Sequence, residues 1–256
     1  DEFICVIGEG EDDTRERVLA IPDSKIRVID SQWNEKMQDR GFVYGQQKMI
    51  AQFNCSGDWA FYLEGDEVLH ELEVNKIRET MQEHLNDLEV EALYFDFFHF
   101  YGTPNQIGIA GYRRAPRIIR NTIRSIAPDG LFWTVMDRNK KGRYPKAKCA
   151  DGNIYHYGHC RSVSKMAEKL KQVGRYWGSK HQEFKGYGSI DIRELRPFTG
   201  SHPAVMENWL AKEAETEFLQ KPDYRLTRRD RRNRIRFWIE DTFGVEISKK
   251  HYRSLD

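Results

Sequence analysis

Short apolar runs alternate with polar turns along the N-terminal part of the chain. Residues 3–7 form a continuous apolar run, an acidic glycine-containing turn follows, and residues 15–21 carry apolar positions typical of a helix. Pro22 ends that helix, and residues 25–30 form a second strand pattern. A short, wholly apolar run is typical of a strand buried on both faces of a parallel sheet. The order predicts a strand–helix–strand unit with the usual right-handed crossover.

The alternation of strand and helix patterns continues along the chain. Residues 49–54 have a helical pattern, and an apolar strand follows at residues 59–63. Apolar residues recur near helical spacing over 69–85, and residues 92–101 form a long aromatic strand. Residues 121–148 have the pattern of irregular strands and loops. Alternating strands and helices predict the α/β class.

The length of 256 residues allows one large α/β domain, or one domain with a smaller appendage. We predict a main domain over residues 1–160 and a mainly helical C-terminal extension over residues 161–256. The chain starts directly in a strand, so we also expect a strand and a helix of this domain to lie upstream of residue 1.

Composition narrows the class of protein. The chain is 39% hydrophobic and 12% aromatic, which is typical of a globular protein and not of a disordered one. The net charge of +1 gives no overall electrostatic preference for nucleic acid. No apolar run approaches the roughly 20 residues that span a bilayer, and no secretory leader pattern opens the chain. The four cysteines form no CxxC pair, which favours reduced thiols and a cytoplasmic location.

Three carboxylates stand together after the strand at 59–63. Glu64 and Asp66 are two residues apart, so in extended backbone they project to the same side. Gly65 between them allows the backbone to pass close to a ligand. Carboxylate oxygens suit a hard divalent cation such as Mg²⁺ or Mn²⁺, which in turn could hold a diphosphate. The alternative is a polar strand end with solvated acids.

Two further segments are candidates for binding a nucleotide. The turn after the first strand carries Glu9 and Asp12, whose carboxylates would accept hydrogen bonds from ribose hydroxyls or base N–H groups. The alternative is an acidic helix N-terminus that complements the helix dipole. Gln47 and Lys48 stand at the start of the next helix and are suited to contacting a nucleotide. The alternative there is a solvated first turn.

Single polar residues within apolar segments suggest further chemistry. Asp96 lies among aromatic residues, where desolvation would raise its pKa and suit it to general acid–base catalysis, unless it is a structural, hydrogen-bonded carboxyl. Arg117 follows in an arginine-rich strand and is suited to bidentate phosphate binding. His156 and His159 flank a glycine; imidazole can complete a metal site begun by carboxylates. A satisfied structural histidine is the alternative.

Seven arginines lie between residues 225 and 236, spaced with apolar residues. This pattern predicts a helix with a basic face, which could contact acidic membrane lipids or an acidic glycan. The alternative is a solvated face that pairs with Glu240 and Asp241. Nucleic-acid binding by this run is disfavoured by the balanced overall charge.

Read together, several segments resemble a known family. The layout Val-Ile-Gly-Glu-Gly-Glu-Asp-Asp-Thr at 6–14, Gly41-Phe42 with Gln47-Lys48, and Gly-Asp-Trp at 57–59 leading to Asp66-Glu67 resembles family 2 glycosyltransferases with the GT-A fold. The resemblance covers residues 1 to about 70 and is greatest to bacterial members that build lipopolysaccharide or capsular sugar chains. Residues 154–161 are also similar to a recurring element of some members.

The resemblance implies a GT-A-like, Rossmann-type, mostly parallel sheet flanked by helices. It implies that Glu9 and Asp12 lie in the nucleotide-binding turn and that Asp66 is the last Asp of the DxD metal motif. Glu64 stands where the first Asp usually is, and Asp13 replaces a usual Gly. The family's first strand is missing from the start of this sequence, in agreement with the expected upstream unit.

The activity implied by the resemblance is inverting transfer of a sugar from a nucleoside diphosphate sugar to a hydroxyl of a glycan or lipid-linked acceptor. A divalent cation, Mn²⁺ or Mg²⁺, would be held by Asp66, Glu64 and His156. We expect Asp96 to be the catalytic base, with Asp137 as the second candidate. We also expect a cytoplasmic enzyme that can contact the inner face of the membrane. The alternatives are a nucleotidyltransferase and a non-catalytic nucleotide-sugar- or glycan-binding protein.

Overall fold

The computed structural model describes residues 1–10, 12–34, 36–177, 184–213 and 218–256. Helices and a many-stranded sheet confirm the α/β class. The helices are α1 Thr14–Leu19, α2 Phe42–Phe53, α3 Val74–Glu83, α4 Val163–Gly174, α5 Glu207–Glu213 and α6 Arg228–Phe243. The strands are β1 Phe3–Gly8, β2 Ile26–Ser31, β3 Trp59–Phe61, β4 Glu67–Val68, β5 Ala92–Tyr101, β6 Thr103–Gly108, β7 Arg114–Arg120, β8 Ser125–Ile126, β9 Thr134–Met136, β10 Gly142–Arg143, β11 Lys146–His159, β12 Leu195–Pro197 and β13 Arg253–Ser254.

The predicted strand–helix–strand unit is present at the N-terminus. β1 and β2 pair in parallel, with Phe3 opposite Ile26, and α1 connects them. α1 buries none of its residues, but Arg15 ties it to β2 through two hydrogen bonds to Asp30 of 2.7 and 2.9 Å. α2 packs against β1 and leads from this unit to the main sheet.

The main sheet has eight strands, with β5 and β11 at its centre in parallel. β7 and β6 pair in turn along one edge of β5, and β3 continues the sheet beyond β7. β4 and β13 pair with opposite ends of β11. Ten residues of β5 and fourteen of β11 make these two strands the frame on which the others are arranged.

The mostly parallel sheet predicted from the resemblance is not confirmed. Seven of the ten strand pairings in the described residues are antiparallel. The connections explain this, because a parallel pair needs a long crossover whereas antiparallel neighbours can be joined by a tight turn. β5 and β6 are separated by Gly102 alone, which has a φ of 71° that favours glycine.

The two faces of the sheet are covered differently. On one face Leu93, Phe95 and Phe97 pack with Ile77 of α3 in a buried cluster. On the other face Tyr94 and its neighbours pack with Trp133 and Tyr252. α3 is shorter than the predicted helix over 69–85. His70 precedes it as a buried residue whose Nε2 lies 2.9 Å from Ser201 Oγ, which fixes this segment outside the helix.

The C-terminal part contributes to the main sheet as well as supplying helices. β12 extends the sheet beyond β6, and β13 pairs with β11. Residues 178–183 and 214–217 of the predicted extension lie outside the described residues. α6 begins at a capping box formed by Thr227 and Asp230, and ends at Gly244, whose φ is 64°. Within the described ranges, no helix is both long and apolar enough to cross a bilayer.

Candidate functional site

The Glu64–Glu67 segment forms a turn between β3 and β4. Glu67 N donates to Glu64 O at 3.0 Å, and Tyr157 N of β11 donates to Asp66 O at 2.9 Å. The segment is therefore fixed against β11, which carries both histidines of the predicted site. The turn directs its carboxylates to different partners.

Glu67 forms a buried ion pair with Arg117 of β7. Arg117 Nε donates to Glu67 Oε2 at 2.8 Å and Nη2 donates to Oε1, while Nη1 donates to Leu131 O at 3.1 Å. Both side chains are almost fully buried. Arg117 was expected to meet a phosphate. Instead its guanidinium is engaged on three sides and holds the turn of carboxylates in place.

Lys48 of α2 is a second buried cation near this pair. Its Nζ lies 3.4 Å from the Trp133 ring centroid and 4.4 Å from that of Tyr62. Nζ also donates to Gly130 O at 3.5 Å. Burial lowers the pKa of this ammonium well below its usual value. The alternative of a solvated first turn therefore does not hold for Lys48.

Glu64 is the carboxylate of the turn that remains accessible. Its side chain is 36% exposed, and Oε1 lies 3.7 Å from Arg117 Nη2. Burial of the carboxyl, together with the charges of Glu67 and Asp66, raises its pKa to about 7, although Arg117 and Lys48 oppose this. A carboxyl with such a pKa can accept or donate a proton near neutral pH.

Asp66 meets a lysine that comes from α4. Lys169 Nζ donates to Asp66 Oδ2 at 2.6 Å and to Gly158 O at 3.0 Å. On its other side, Asp66 Oδ1 lies 3.6 Å from His156 Nε2. Asp66 is thus held between an ammonium group and an imidazole.

A hydrogen-bonded pair of histidines determines which nitrogen of His156 faces Asp66. His99 Nε2 lies 2.9 Å from Tyr112 O, and His99 Nδ1 lies 2.8 Å from His156 Nδ1. Burial lowers the pKa of His99 to about 3 and that of His156 to about 4, which favours neutral rings at pH 7. Since a carbonyl only accepts, His99 carries its proton on Nε2 and accepts at Nδ1 from His156. His156 Nε2 therefore presents a lone pair towards Asp66.

These two groups are suitable ligands for a divalent cation. An unprotonated imidazole nitrogen and a carboxylate oxygen face each other, and each prefers a cation or proton between them. No set of three His, Cys, Asp or Glu groups that could hold a metal ion is found in the ranges described. Two protein ligands are nevertheless enough for a cation that is also held by substrate phosphates and water.

The nucleotide-turn residues lie in the N-terminal unit. Glu9 is exposed at the end of β1, and Asp12 Oδ1 accepts from Thr14 N at 3.2 Å at the start of α1. Gln47 bonds to Ser31 Oγ and donates from Nε2 to Gln32 O at 3.3 Å. Gln47 and Lys48 are neighbours on α2, so this helix connects the N-terminal unit to the carboxylate turn.

The expected catalytic bases lie apart from this cluster. Asp96 is on the face of β5 opposite to Phe97 and His99, where Arg114 Nε donates to its Oδ1 at 2.6 Å; its side chain is 42% exposed. Asp96 is therefore not the desolvated carboxyl that its aromatic neighbours suggested. Asp137 follows β9 and accepts from Lys141 N at 2.8 Å in the β9–β10 hairpin.

Four residues of the cluster were not among the predicted site residues. These are Glu67, His99, Tyr112 and Lys169. Glu67 belongs to the carboxylate run and His99 to an aromatic strand, so their residue types were visible in the sequence. Lys169 lies 103 residues after Asp66 on a lysine-rich helix, where nothing distinguishes it from its neighbours. His159 is half-buried with its ring centroid 6.3 Å from that of His156, and desolvation lowers its pKa to about 4.

Comparison of the sequence with protein-family models and with curated proteins gave no match.

Proposed function

We propose that the protein is a glycosyltransferase that moves a sugar from a nucleoside diphosphate sugar to an acceptor hydroxyl. The observation that carries this proposal is the turn between β3 and β4, where Glu64 and Asp66 stand beside His156, Lys169 and the buried cations Lys48 and Arg117. Mixed carboxylate, imidazole and cationic groups suit a bound diphosphate and its counter-cation. The resemblance to family 2 glycosyltransferases supports the same activity, and the GT-A arrangement is part of the proposal.

The donor nucleotide is proposed to bind along the N-terminal unit. The parallel β1–β2 pair with its acidic turn offers Glu9 and Asp12 for hydroxyl or base N–H groups, and α2 offers Gln47. From there the diphosphate would reach Asp66, next to the lone pair of His156. When bound there, Mn²⁺ or Mg²⁺ would neutralise charge on the departing diphosphate.

Glu64 is the carboxyl best suited to take the proton of the acceptor hydroxyl. It is partly exposed, and burial raises its pKa to about 7. Arg117 lies 3.7 Å from Oε1 and, with its remaining groups engaged by Glu67 and Leu131, fixes the position of the carboxyl. This assignment replaces Asp96, whose partner is Arg114 on the opposite face of β5.

The acceptor is proposed to be a glycan or a lipid-linked glycan in the synthesis of a cell-surface polysaccharide. The exposed arginines of α6 remain available for a membrane surface: Arg228, Arg229, Arg231 and Arg232. Two arginines of the run are engaged inside the protein instead. Arg234 pairs with Asp191, and Arg236 donates to Ala110 O. A cytoplasmic enzyme at the inner face of the membrane is part of the proposal.

The test is a titration of UDP, GDP, CDP and dTDP sugars with and without Mn²⁺, followed by calorimetry and by release of the nucleoside diphosphate. We expect one donor to bind in a Mn²⁺-dependent manner and to be hydrolysed slowly. Asp66→Ala should abolish the Mn²⁺-dependent part of binding. Asp58→Ala, an exposed residue before β3, is the matched control. If no donor binds, the proposal fails.

A non-catalytic nucleotide-sugar-binding protein is the second candidate. The observation that favours it is the bond between Lys169 and Asp66, which provides a cation at the carboxylate without a metal. Tight donor binding without turnover over a panel of glycan acceptors would support this candidate over the transferase.

A further inference from the structure

A cleft of about 410 Å³ adjoins the carboxylate turn. This volume lies within the roughly 300–1,000 Å³ typical of ligand sites. Aromatic rings and cationic side chains make up much of its lining, and no residue of the cleft belongs to the predicted site. The lining includes Tyr112, Asp129, Phe132, Trp177, Arg236 and Lys249.

The segment 129–132 contributes residues to the lining of the cleft and also lies next to the carboxylate turn. Arg117 donates to Leu131 O and Lys48 donates to Gly130 O, so the two buried cations of the cluster fix the backbone of this segment. A Cβ on Gly130 would lie only 3.9 Å from Glu64 Oε1. Tyr112 lines the cleft and accepts from His99 through its carbonyl. The 129–132 segment therefore forms a wall that the cleft has in common with the surroundings of Glu64.

The charges that the cleft presents are mainly positive. Asp129 is engaged by its own turn, because its Oδ1 accepts from Leu131 N at 2.7 Å and from Phe132 N at 3.2 Å. Lys249 is exposed and forms no ion pair among the residues described. Arg236 donates to backbone carbonyls, with Nη2 3.0 Å from Ala110 O, and its guanidinium lies over the Phe237 ring. Within the described part of the chain, neither cation forms an ion pair.

Buried nitrogens in the wall lack partners. His251 is 3% exposed and stacks on Phe132 at a centroid distance of 4.5 Å. Its Nδ1 and the Nε of Arg236 are buried and have no hydrogen-bond partner in the described part of the chain. A buried polar group without a partner costs about 1–3 kcal/mol, so such atoms point to a ligand or ordered water that completes the wall.

We propose that this cleft is the acceptor site and that it takes an anionic sugar, with a carboxylate or phosphate near Lys249 and Arg236 and the sugar ring against Trp177 and Phe132. Aromatic walls with a few charged groups are the usual composition of a site that binds and orients a small polar ligand. The proposal rests on the proposed function, since it assigns the acceptor of that reaction.

The test measures binding of three probes to the full chain by calorimetry: methyl β-D-glucuronide, methyl β-D-glucoside and glucose 6-phosphate. We expect the wild type to bind at least one anionic probe about threefold to fivefold more tightly than the glucoside, as one exposed ion pair allows. Lys249→Met should remove that preference. Lys250→Met, which changes the neighbouring exposed lysine outside the cleft lining, should retain it.

Equal binding of charged and neutral probes, or equal losses in the two lysine variants, would overturn the proposal. The stronger of the two anionic probes identifies whether a carboxylate or a phosphate is preferred. Donor binding is measured on the same variants and should not change. Absence of donor binding in the wild type counts against the proposed function, whereas absence of anion preference counts only against this cleft.

Discussion

His99 and His156 share one hydrogen bond between their Nδ1 atoms, at 2.8 Å, and its direction is set by the carbonyl of Tyr112. These three groups together fix the tautomers of two partly buried histidines. Nε2 of His156 is left unprotonated 3.6 Å from Asp66. Residues on β5, on β11 and in the β6–β7 connection thus determine which nitrogen of His156 faces Asp66.

The tautomers are directly measurable. At pH 7, long-range proton–nitrogen correlation spectra of labelled protein should show His99 protonated at Nε2 and His156 protonated at Nδ1, since the Tyr112 carbonyl only accepts. In His99→Phe, His156 loses its acceptor, and we expect a loss of about 1–3 kcal/mol in the free energy of unfolding. A His156 ring protonated at Nε2 in the wild type would contradict the assignment.

Lys169 engages the carboxylate that the proposed metal ion would bind. Its ammonium donates to Oδ2 at 2.6 Å, so a divalent cation that binds Asp66 must displace or share this bond. We expect Lys169→Met to bind Mn²⁺ about tenfold more tightly than the wild type in the absence of nucleotide, because the competing positive charge is removed. Tenfold corresponds to about 1.4 kcal/mol in the free energy of binding. Calorimetry and the Mn²⁺ electron spin resonance signal give the affinity.

The matched control is Lys171→Met, which changes an exposed lysine on the same helix. It should leave the Mn²⁺ affinity unchanged. A weaker affinity in Lys169→Met would mean that the lysine supports the metal site instead of competing with it.

The Arg117–Glu67 pair should dominate the stability of the cluster. Glu67→Gln keeps the shape of the side chain but leaves the guanidinium buried without its main counter-charge, so we expect a loss of about 3–5 kcal/mol in the free energy of unfolding. Urea unfolding measures this. Glu79→Gln, on the exposed face of α3, should change stability by less than about 0.5 kcal/mol.

The double variant Glu67→Gln with Arg117→Met measures the coupling energy between the two side chains. Because the double variant removes both charges together, we expect its loss in the free energy of unfolding to be smaller than the sum of the losses in the two single variants. Additive losses would show that the two side chains act independently.

Patterns within one segment predicted local structure well. The aromatic strand at 92–101 is β5 over the same residues, and the N-terminal strand–helix–strand unit is present. The carboxylates at 64, 66 and 67 are close in the sequence, and they remain together in the turn between β3 and β4. These features depend on neighbouring residues, so the sequence carries their signal directly.

Contacts between distant segments were not predictable in this way. Lys169 reaches Asp66 only because α4 returns across the end of β11, and no spacing encodes that return. The sequence could not predict which face of β5 carries the site, because the aromatic run has apolar residues on both faces. Asp96 lies on the face opposite to the one that α3 covers. The mostly parallel sheet was not confirmed because residues 92–120 form antiparallel strands joined by short connections, whereas the resemblance implied crossovers.

Turnover should depend on Glu64 and not on Asp96. If Glu64 takes the acceptor proton, Glu64→Gln should lower kcat by about 10²–10⁴-fold, the usual contribution of a general base. Asp96→Asn removes a carboxylate that pairs with Arg114 on the other face of β5 and should lower kcat by less than about tenfold. Steady-state kinetics with the identified donor and acceptor measures both. The reverse order would restore Asp96 as the base.

Acid should weaken the attachment of α6 through Asp191. This carboxylate is fully buried and accepts from Arg234 Nε at 2.6 Å and Nη2 at 2.9 Å, and the hydrogen bond from Arg234 lowers its pKa in the folded state. The unfolded chain has a pKa of about 3.9 for Asp, so the stabilisation is complete above about pH 5 and is lost as the pH falls towards the lower folded value. Urea unfolding from pH 7 to pH 3 should show this decline.

Asp191→Asn should lower the free energy of unfolding by about 1.5–3 kcal/mol at pH 7 and flatten its decline below pH 5, because the hydrogen bonds to a charged acceptor are weakened. Asp223→Asn, at an exposed position, should reproduce the wild-type stability and its pH dependence. If Asp191→Asn declined as steeply as the wild type below pH 5, other carboxylates would be responsible and the Asp191–Arg234 pair would contribute little to holding α6.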